Sequence, residues 1–268
     1  PMSATDRAFV GSIPEVYDRC LGPMLFEPYA LEMAERFKGF QGALLETAAG
    51  TGRVTRHLAT AAPGAKITAT DLNEPMLAKA GALIAAPNIE WRQADAQALP
   101  FEDQSFDAVV TQFGVMFYPD KAAGFREAHR VLKPGGRFVF NVWDALEAND
   151  VSKAVHESVA ALFPDDPPAF LARTPFGYHD EAHIRAALAQ AGFGGVEIET
   201  VTREMRSESA QAAAEGLCTG TPLLSEIEAR RPGGAAEVTA AVAQALTRAF
   251  GSGAIVGKGQ ALVVTASV

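Results

Sequence analysis

The chain has 268 residues, 48% of them apolar, a formal net charge of −9 and two cysteines. That length can bury a substantial core as one enlarged domain or two small ones, and no stretch approaches a membrane span, while the acidic balance argues against a nucleic-acid partner, whose backbone needs clustered Lys and Arg. Cys20 and Cys218 lie far apart and outside any metal-ligand spacing, which favours reduced thiols in a cytoplasmic setting over a disulfide framework.

The opening residues show no basic stretch followed by an apolar run, so no export signal is expected, and Pro1 ahead of Met2 reads as a remnant. Residues 12–38 hold two predicted helices, with Ile13, Val16, Tyr17 and Cys20 on one face and Tyr29, Leu31, Met33, Ala34 and Phe37 around the other. They precede the first strand and are expected to lie over the ligand mouth as a lid. Core packing is an equally good account of Tyr17 and Tyr29.

Ala43, Leu44 and Leu45 read as the end of a buried strand, which runs into Glu46-Thr47-Ala48-Ala49-Gly50-Thr51-Gly52. A helix follows from Arg53 to Thr60, with Val54, His57 and Leu58 at helical spacing. Gly50 and Gly52 lack a side chain where a ligand would press on the backbone, and the first helical turn offers N–H donors. No Lys-Ser or Lys-Thr follows the glycines, which excludes a P-loop, and Thr55 stands where a dinucleotide fingerprint needs its third glycine. Glu46 would repel a pyrophosphate but suits a ligand carrying an ammonium and a sulfonium.

Pro63-Gly64 marks a turn and Lys66 to Thr70 a second strand, ended by Asp71. Pro75 then opens a helix in which Met76, Leu77, Ala80, Leu83 and Ile84 repeat at core spacing. An acid at Asp71 can accept both hydroxyls of a ribose. Its competing role as a helix cap is open to Asn73 instead. Ile89 to Gln93 is a third strand, followed directly by Ala94-Asp95-Ala96, and Phe106 to Val110 begins a fourth. Leu99, Pro100 and Phe101 pack the loop between them, and Asp107 anchors it.

Glu46-x-Ala48-x-Gly50-x-Gly52, then Asp71, Asp95 and the later run Leu132-Lys133-Pro134-Gly135-Gly136, resembles the class I S-adenosylmethionine-dependent methyltransferases, of the small-molecule ubiquinone/menaquinone type, over about residues 40–145. The resemblance implies an α/β fold: a Rossmann-like seven-stranded, mostly parallel sheet with flanking helices, its last strand antiparallel, plus a helical cap or lid. The implied division is an N-terminal helical lid (1–40), a cofactor-binding core (41–145) and a remainder (146–268) with further strands and an inserted substrate cap.

The implied cofactor is S-adenosyl-L-methionine, leaving as S-adenosyl-L-homocysteine. Glu46, Ala48, Gly50, Thr51 and Gly52 would hold its amino-acid end. Asp71, Leu72 and Met76 would meet the ribose side, Asp95 and Ala96 the adenine. Gln112, Phe113 and Phe117 would complete the wall, with Tyr17 contributed by the leading helix. Ala48 departs from the family's first glycine, so its backbone is expected to keep φ negative in a slightly altered loop. Tyr29, Gly114, Met116 and Trp143 are expected on the side of a small-molecule methyl acceptor.

No Asn-Pro-Pro-aromatic signature of nucleobase methylation is present and no acid cluster suits Mg²⁺, so no metal is expected. Asp120 to Leu132 is an amphipathic helix, Lys133 to Gly136 a turn, and Arg137 to Trp143 the fifth strand. Helices are expected at 151–162 and 181–191 with Asp180 as cap, a sixth strand at 195–202, and alanine-rich helices over 208–250 broken at Gly216, Thr221-Pro222 and Pro232-Gly233-Gly234, before a last strand at 261–266. His57 and His129 sit on helix faces, and His179 with His183 lacks a third zinc ligand. His156, which follows the fifth strand and could approach the pocket, is the one weak base candidate, and a sulfonium leaving group need not require a base. The rival readings are an NAD-dependent oxidoreductase and a non-catalytic cofactor-binding protein.

Overall fold

The computed structural model describes residues 2–268, leaving Pro1 outside it. Among the described residues seven strands, β1 (Gly42–Thr47), β2 (Ala65–Asp71), β3 (Ile89–Gln93), β4 (Phe106–Gln112), β5 (Leu132–Trp143), β6 (Gly195–Ser207) and β7 (Ile255–Ser267), lie in the order β3-β2-β1-β4-β5-β7-β6. The pairs β1·β2, β2·β3, β1·β4 and β4·β5 are parallel. Against β5, the last strand runs the other way: Gly135 N–H donates to Val268 O, Val268 N–H to Gly136 O, and Asp144 N–H to Gln260 O, so residue numbers fall along one strand as they rise along the other. The order reverses direction at β1, with β2 and β4 on its two sides, which makes the carboxyl ends of β1 and β4 the switch point where α/β sheets bind ligands.

The chain divides into two compact units: a sheet unit of residues 30–142, 179–201 and 261–268, and a helical unit of residues 1–29, 143–178 and 202–260. The sheet unit is nucleated by strands that read as apolar runs because both faces are covered. Leu44, Ile67, Val110, Val139 and Val263 pack with Met33, Phe37, Val54 and Leu58 in one buried cluster. Burying each such side chain contributes about 1.5–3 kcal/mol.

The helices are α1 (Ile13–Val16), α2 (Glu27–Glu35), α3 (Arg53–Ala61), α4 (Glu74–Leu83), α5 (Lys121–Val131), α6 (Asp150–Leu162), α7 (Phe170–Arg173), α8 (Glu181–Gln190), α9 (Ala210–Thr219), α10 (Leu223–Arg230) and α11 (Ala235–Phe250). Side-chain caps set several of their starts: Asn73 for α4, Asp120 for α5 and Asp180 for α8 each accept the N–H three residues on.

In the helical unit, Tyr17–Phe26 forms a π-helix between α1 and α2, where the sequence predicts two ordinary helices. Gly216 does not break α9 as expected. A Cβ there would lie 2.6 Å from Leu21 Cδ2 and 3.0 Å from Cys20 Cβ, so the glycine is the place where the wide π-helix presses onto α9. That contact lies within the helical unit, to which the leading residues through Tyr29 belong. Asp6 accepts from Arg173 Nη2 at 2.6 Å and Nε at 2.9 Å and from Thr174 Oγ1 at 2.6 Å, tying the first residues to α7.

The expected turn at Lys133-Pro134-Gly135-Gly136 is drawn into β5, which starts at Leu132, because its backbone bonds to the end of β7. β6 and β7 likewise extend beyond the predicted ends. Cys20 and Cys218 are free and buried, with burial pushing both thiols up, Cys218 to about 12. No helix among the described residues is long and apolar enough to cross a membrane.

Candidate functional site

β1 delivers Glu46 to the switch point in a fully buried position. Its carboxyl accepts the Thr55 hydroxyl at 2.5 Å, from the first turn of α3, and its backbone carbonyl accepts the Thr70 hydroxyl at 2.9 Å. Burial pushes the carboxyl up to about 8, with the Thr55 hydrogen bond opposing and the Asp71 charge adding to the rise. A buried acid beside a second acid is poised for a cation.

The turn after Glu46 departs from expectation. Ala48 has φ +54°, in the left-handed region, so the expected negative φ is not adopted. The room for its Cβ comes from the turn just after β4: a Cβ on Gly114 would meet Ala48 Cβ at 2.7 Å and Thr111 Cγ2 at 2.9 Å. The missing side chain at Gly114 therefore accommodates the extra one at Ala48. Replacing Gly114 with Ala is expected to destabilise the protein by about 1–3 kcal/mol through overpacking. Replacing Ala48 with Gly is expected to stabilise it by about 1 kcal/mol, because a left-handed residue no longer carries a Cβ. The two substitutions together are expected to cost less than the sum of their separate effects, measured by urea denaturation.

Gly50 (φ +57°) has nothing within 4 Å of a would-be Cβ, leaving open space beside the turn. Gly52 (φ +83°) is different: a Cβ there would lie 2.5 Å from Ile84 Cδ1 and 3.0 Å from the Trp91 ring. Packing of α3 against α4 and β3 demands that glycine before any ligand does. Thr51 lies between them, partly buried.

Asp71, at the end of β2, accepts Gly50 N–H at 2.8 Å through one oxygen and Asn73 N–H at 2.7 Å through the other. Burial raises its carboxyl, while the N–H groups of Asn73, Gly50 and Leu72 pull it back. Asn73, not Asp71, caps α4, accepting from Met76 N–H. Leu72 is 57% exposed, an apolar side chain presented to solvent beside the acid. Asp95 follows β3 and accepts Gln97 N–H at 2.9 Å, a local turn that leaves Ala96 at its bend.

Sequence reasoning passed over Tyr118, whose buried ring rests on Gly124, where a Cβ would lie 2.5 Å from the ring. Its hydroxyl lies 3.4 Å from Thr47 Oγ1, which bonds in turn to the Thr111 hydroxyl. Burial raises the phenol, the Thr47 and Thr111 hydroxyls oppose, and the charges of Asp95 and Asp71 add. Asp71 thus bears on both Glu46 and Tyr118, and Asp95 on Tyr118. Thr55 and Asn141 were also passed over. Asn141 Oδ1 accepts Phe113 N–H at 2.8 Å and its Nδ2 donates to Gln112 Oε1 at 3.2 Å.

Phe113 and Met116 are buried, and Phe117 is partly so. In the helical unit Tyr17 stacks on Phe26 with centroids 4.8 Å apart, and Tyr29 meets Trp143 edge-on at 5.3 Å. Ring-on-ring packing accounts for those contacts. His156 lies on α6 and partly buried. Asp107, expected to anchor the loop ahead of β4, accepts Ala43 N–H of β1 at 2.7 Å. Among the described residues no group of three or more His, Cys, Asp or Glu side chains is arranged to hold a metal ion.

A protein-family model described as "Methyltransferase domain" matches residues 45–140. The chain is 47% identical over 93 residues to a demethylmenaquinone methyltransferase of Chlorobaculum parvum, covering 35% of this chain and 37% of that one. It is 36% identical over 169 residues to the demethylmenaquinone methyltransferase of Clavibacter sepedonicus, covering 59% of this chain and 68% of that one. In three dimensions it superposes on a Haemonchus contortus phosphoethanolamine N-methyltransferase 2 in complex with S-adenosyl-L-methionine, with a TM-score of 0.62, 16% identity, and coverage of 99% of this chain and 60% of that one. The chain thus spans little more than a third of the first relative and about two thirds of the second.

Proposed function

We propose, because this chain belongs to the class I S-adenosylmethionine-dependent methyltransferase family, that it transfers a methyl group to a small, partly apolar acceptor. The observation that carries the reading is Glu46: a fully buried acid at the switch point, held by Thr55 and next to Asp71. That environment fits a cationic sulfur nucleoside and rejects a pyrophosphate. The open side of Gly50 leaves backbone room for the same ligand. Glu46 and the turn through Gly52 would hold the amino-acid end, Asp71 with Leu72 and Met76 the ribose, Asp95 and Ala96 the adenine.

S-adenosylmethionine, bound there, supplies a methyl group already activated on a sulfonium. What remains for the chain is alignment of the acceptor, for which orientation supplies as much as about 7–11 kcal/mol. Gln112, Phe113, Gly114, Met116 and Phe117 form the mostly apolar side expected to meet the acceptor. The resemblance alone supports ligand roles for Tyr17, Tyr29 and Trp143. A quinol ring of the demethylmenaquinone kind is the first acceptor to try, because the relatives named above are demethylmenaquinone methyltransferases. No nucleic-acid partner is part of the proposal, given the acidic balance, and a cytoplasmic location is proposed on the two unpaired thiols.

Thermal-shift measurements with S-adenosylhomocysteine and with NAD are the first test. A ligand at a hundredfold excess over its Kd stabilises the fold by about 2.7 kcal/mol. Stabilisation by S-adenosylhomocysteine alone is expected, and stabilisation by NAD alone would refute the reading. Turnover with quinols, phenols, amines and carboxylic acids then identifies the acceptor class, whereas tight cofactor binding without transfer to any of them would favour a non-catalytic role.

A further inference from the structure

The segment 95–105, between β3 and β4, is laid against α5. Gln97 Oε1 accepts Asp120 N–H at the start of that helix at 2.8 Å, and the N–H groups of Gln104 and Ser105 donate to the carbonyls of Arg130 and Val131 at its end, at 2.9 and 2.8 Å. Between those points the segment is irregular, and its backbone meets two side chains of the helix. Leu99 N–H donates to Glu127 Oε1 at 2.8 Å, while Arg130 Nη2 donates to Leu99 O at 3.0 Å and Nη1 to Phe101 O at 2.7 Å. Glu127 and Arg130 thus offer Leu99 an acceptor and a donor, as a neighbouring strand would.

The two side chains are also tied to each other. Arg130 Nε donates to Glu127 Oε2 at 2.7 Å and Nη2 to Oε1 at 3.1 Å, and Nη1 reaches Asp103 Oδ1 at 2.8 Å. The hydrogen bond from Arg130 holds the Glu127 carboxyl below its ordinary range, with burial opposing and the Leu99 N–H adding to the fall. Both side chains stay partly exposed, so their Coulomb attraction by itself contributes little. The consequence is geometric: a planar fork holds two carbonyls two residues apart, which an ammonium cannot do. Leu99 is buried and follows Ala98, whose N–H donates to Asp95 O at 3.0 Å, and Asp95 Oδ1 accepts Gln97 N–H at 2.9 Å. Fixing Leu99 therefore fixes the turn that carries Asp95.

We propose that Glu127 and Arg130 are positioning residues for the adenine side of the site: together they hold Leu99 and Phe101 so that the Asp95 carboxylate is presented to the exocyclic amino group of a purine. The inference rests on the methyltransferase reading for the ligand and on the Asp95 assignment within it. Neither residue touches the ligand.

Arg130→Lys keeps the charge but cannot serve both carbonyls. Glu127→Gln, whichever way its amide is turned, points an NH₂ at a donor. The Phe101 ring keeps its edge-on contact with Phe106, at 5.1 Å, and the Arg92 guanidinium above it, at 5.0 Å, so both variants are expected to fold. Calorimetry then compares S-adenosylhomocysteine with its 2′-deoxy form and with S-inosylhomocysteine, whose ring carries an oxygen in place of the amino group. The preference for adenine over hypoxanthine is expected to fall about tenfold in either variant, with the preference for the 2′-hydroxyl unchanged. In an Asp95→Ala background, Arg130→Lys is expected to leave the adenine preference where Asp95→Ala put it. An adenine preference unaltered by both variants, an equal fall in both preferences, or a wild type with no adenine preference would overturn the proposal, whatever the change in Tm.

Hydrogen exchange of the ligand-free protein, followed by NMR, separates this from failure of the functional reading. The Leu99 and Ala98 amides are expected to exchange faster in both variants, while the Gly50 amide, held by Asp71, keeps its wild-type rate. If the wild type binds no S-adenosylhomocysteine, the methyltransferase reading fails and the ligand assignment goes with it. The hold on the Asp95 turn is then judged by exchange alone, and an Ala98 amide that exchanges at the wild-type rate in both variants would end it.

Discussion

Replacing Asp71 with Ala is expected to weaken S-adenosylhomocysteine binding about 10- to 150-fold. The figure follows from a hydrogen bond to a charged group, worth about 1.5–3 kcal/mol. The carboxylate already accepts Gly50 N–H and Asn73 N–H, one on each oxygen. Each oxygen retains a second lone pair, so a ribose diol can be held without surrendering either contact. The loss in Asp71→Ala therefore has two parts: the ribose partner disappears, and the Gly50 turn loses its tether to β2.

Asp71→Asn separates them, since the amide oxygen can still accept one backbone N–H while the charge is gone. An intermediate loss is expected for Asn, larger than the change in unfolding free energy would explain. An Asp71→Ala protein that folds and binds S-adenosylhomocysteine as tightly as the wild type, by calorimetry, removes the ribose assignment.

Glu46 is expected to make cofactor binding release a proton. In the ligand-free chain burial pushes its carboxyl up to about 8, so at pH 7 it is mostly protonated. A cationic ligand favours the carboxylate, so affinity should rise with pH below about 8 and level off above it. Between pH 8 and pH 6 the dependence approaches tenfold per unit. Calorimetry in two buffers of different ionisation enthalpy reads the proton directly. Glu46→Gln keeps the shape and an acceptor for Thr55, and is expected to bind weakly with no slope. A flat wild-type profile over this range would defeat the assignment of Glu46 to the cationic end.

The same shift has a signature in stability, with its sign set by linkage. The native carboxyl binds its proton more tightly than the unfolded one, whose ordinary value is 4.5. Between about pH 4.5 and 8 the native state therefore holds more protons, and this group's contribution to stability falls as pH rises through that window. Denaturant midpoints of the ligand-free wild type, compared with Glu46→Gln, are expected to converge at the acid end and separate toward pH 8, with the glutamine variant the more stable.

The fold was largely legible in the chain because its signals are local. Apolar runs at Leu44, Ile67 and Val109 mark strands buried on both faces, and the caps at Asn73, Asp120 and Asp180 lie within three residues of the N–H groups they accept. Acids at the strand ends could be placed for the same reason: each closes an apolar run, and parallel strands in one sheet bring such ends to one edge. Ala48 was misjudged because its conformation is set by space, and that space is made by a glycine in the turn that follows β4. Gly216 was misjudged likewise, since a glycine in a helix reads as a break until a neighbouring helix is seen to need the room.

What the amino-acid order by itself determined is therefore the element plan, the glycine turn and the family of ligand that an acid there can accept. Only the tertiary structure decided which polar groups complete the site. Thr55 reaches Glu46 across the turn, Tyr118 joins Thr47 and Thr111, and Asn141 meets Gln112 and Phe113 from the adjacent strand. The physical reason is distance along the chain: periodicity and capping act within a few residues, whereas these partners meet only once β1, β4 and β5 are in register, and a buried hydrogen bond leaves no mark on the residues that flank it.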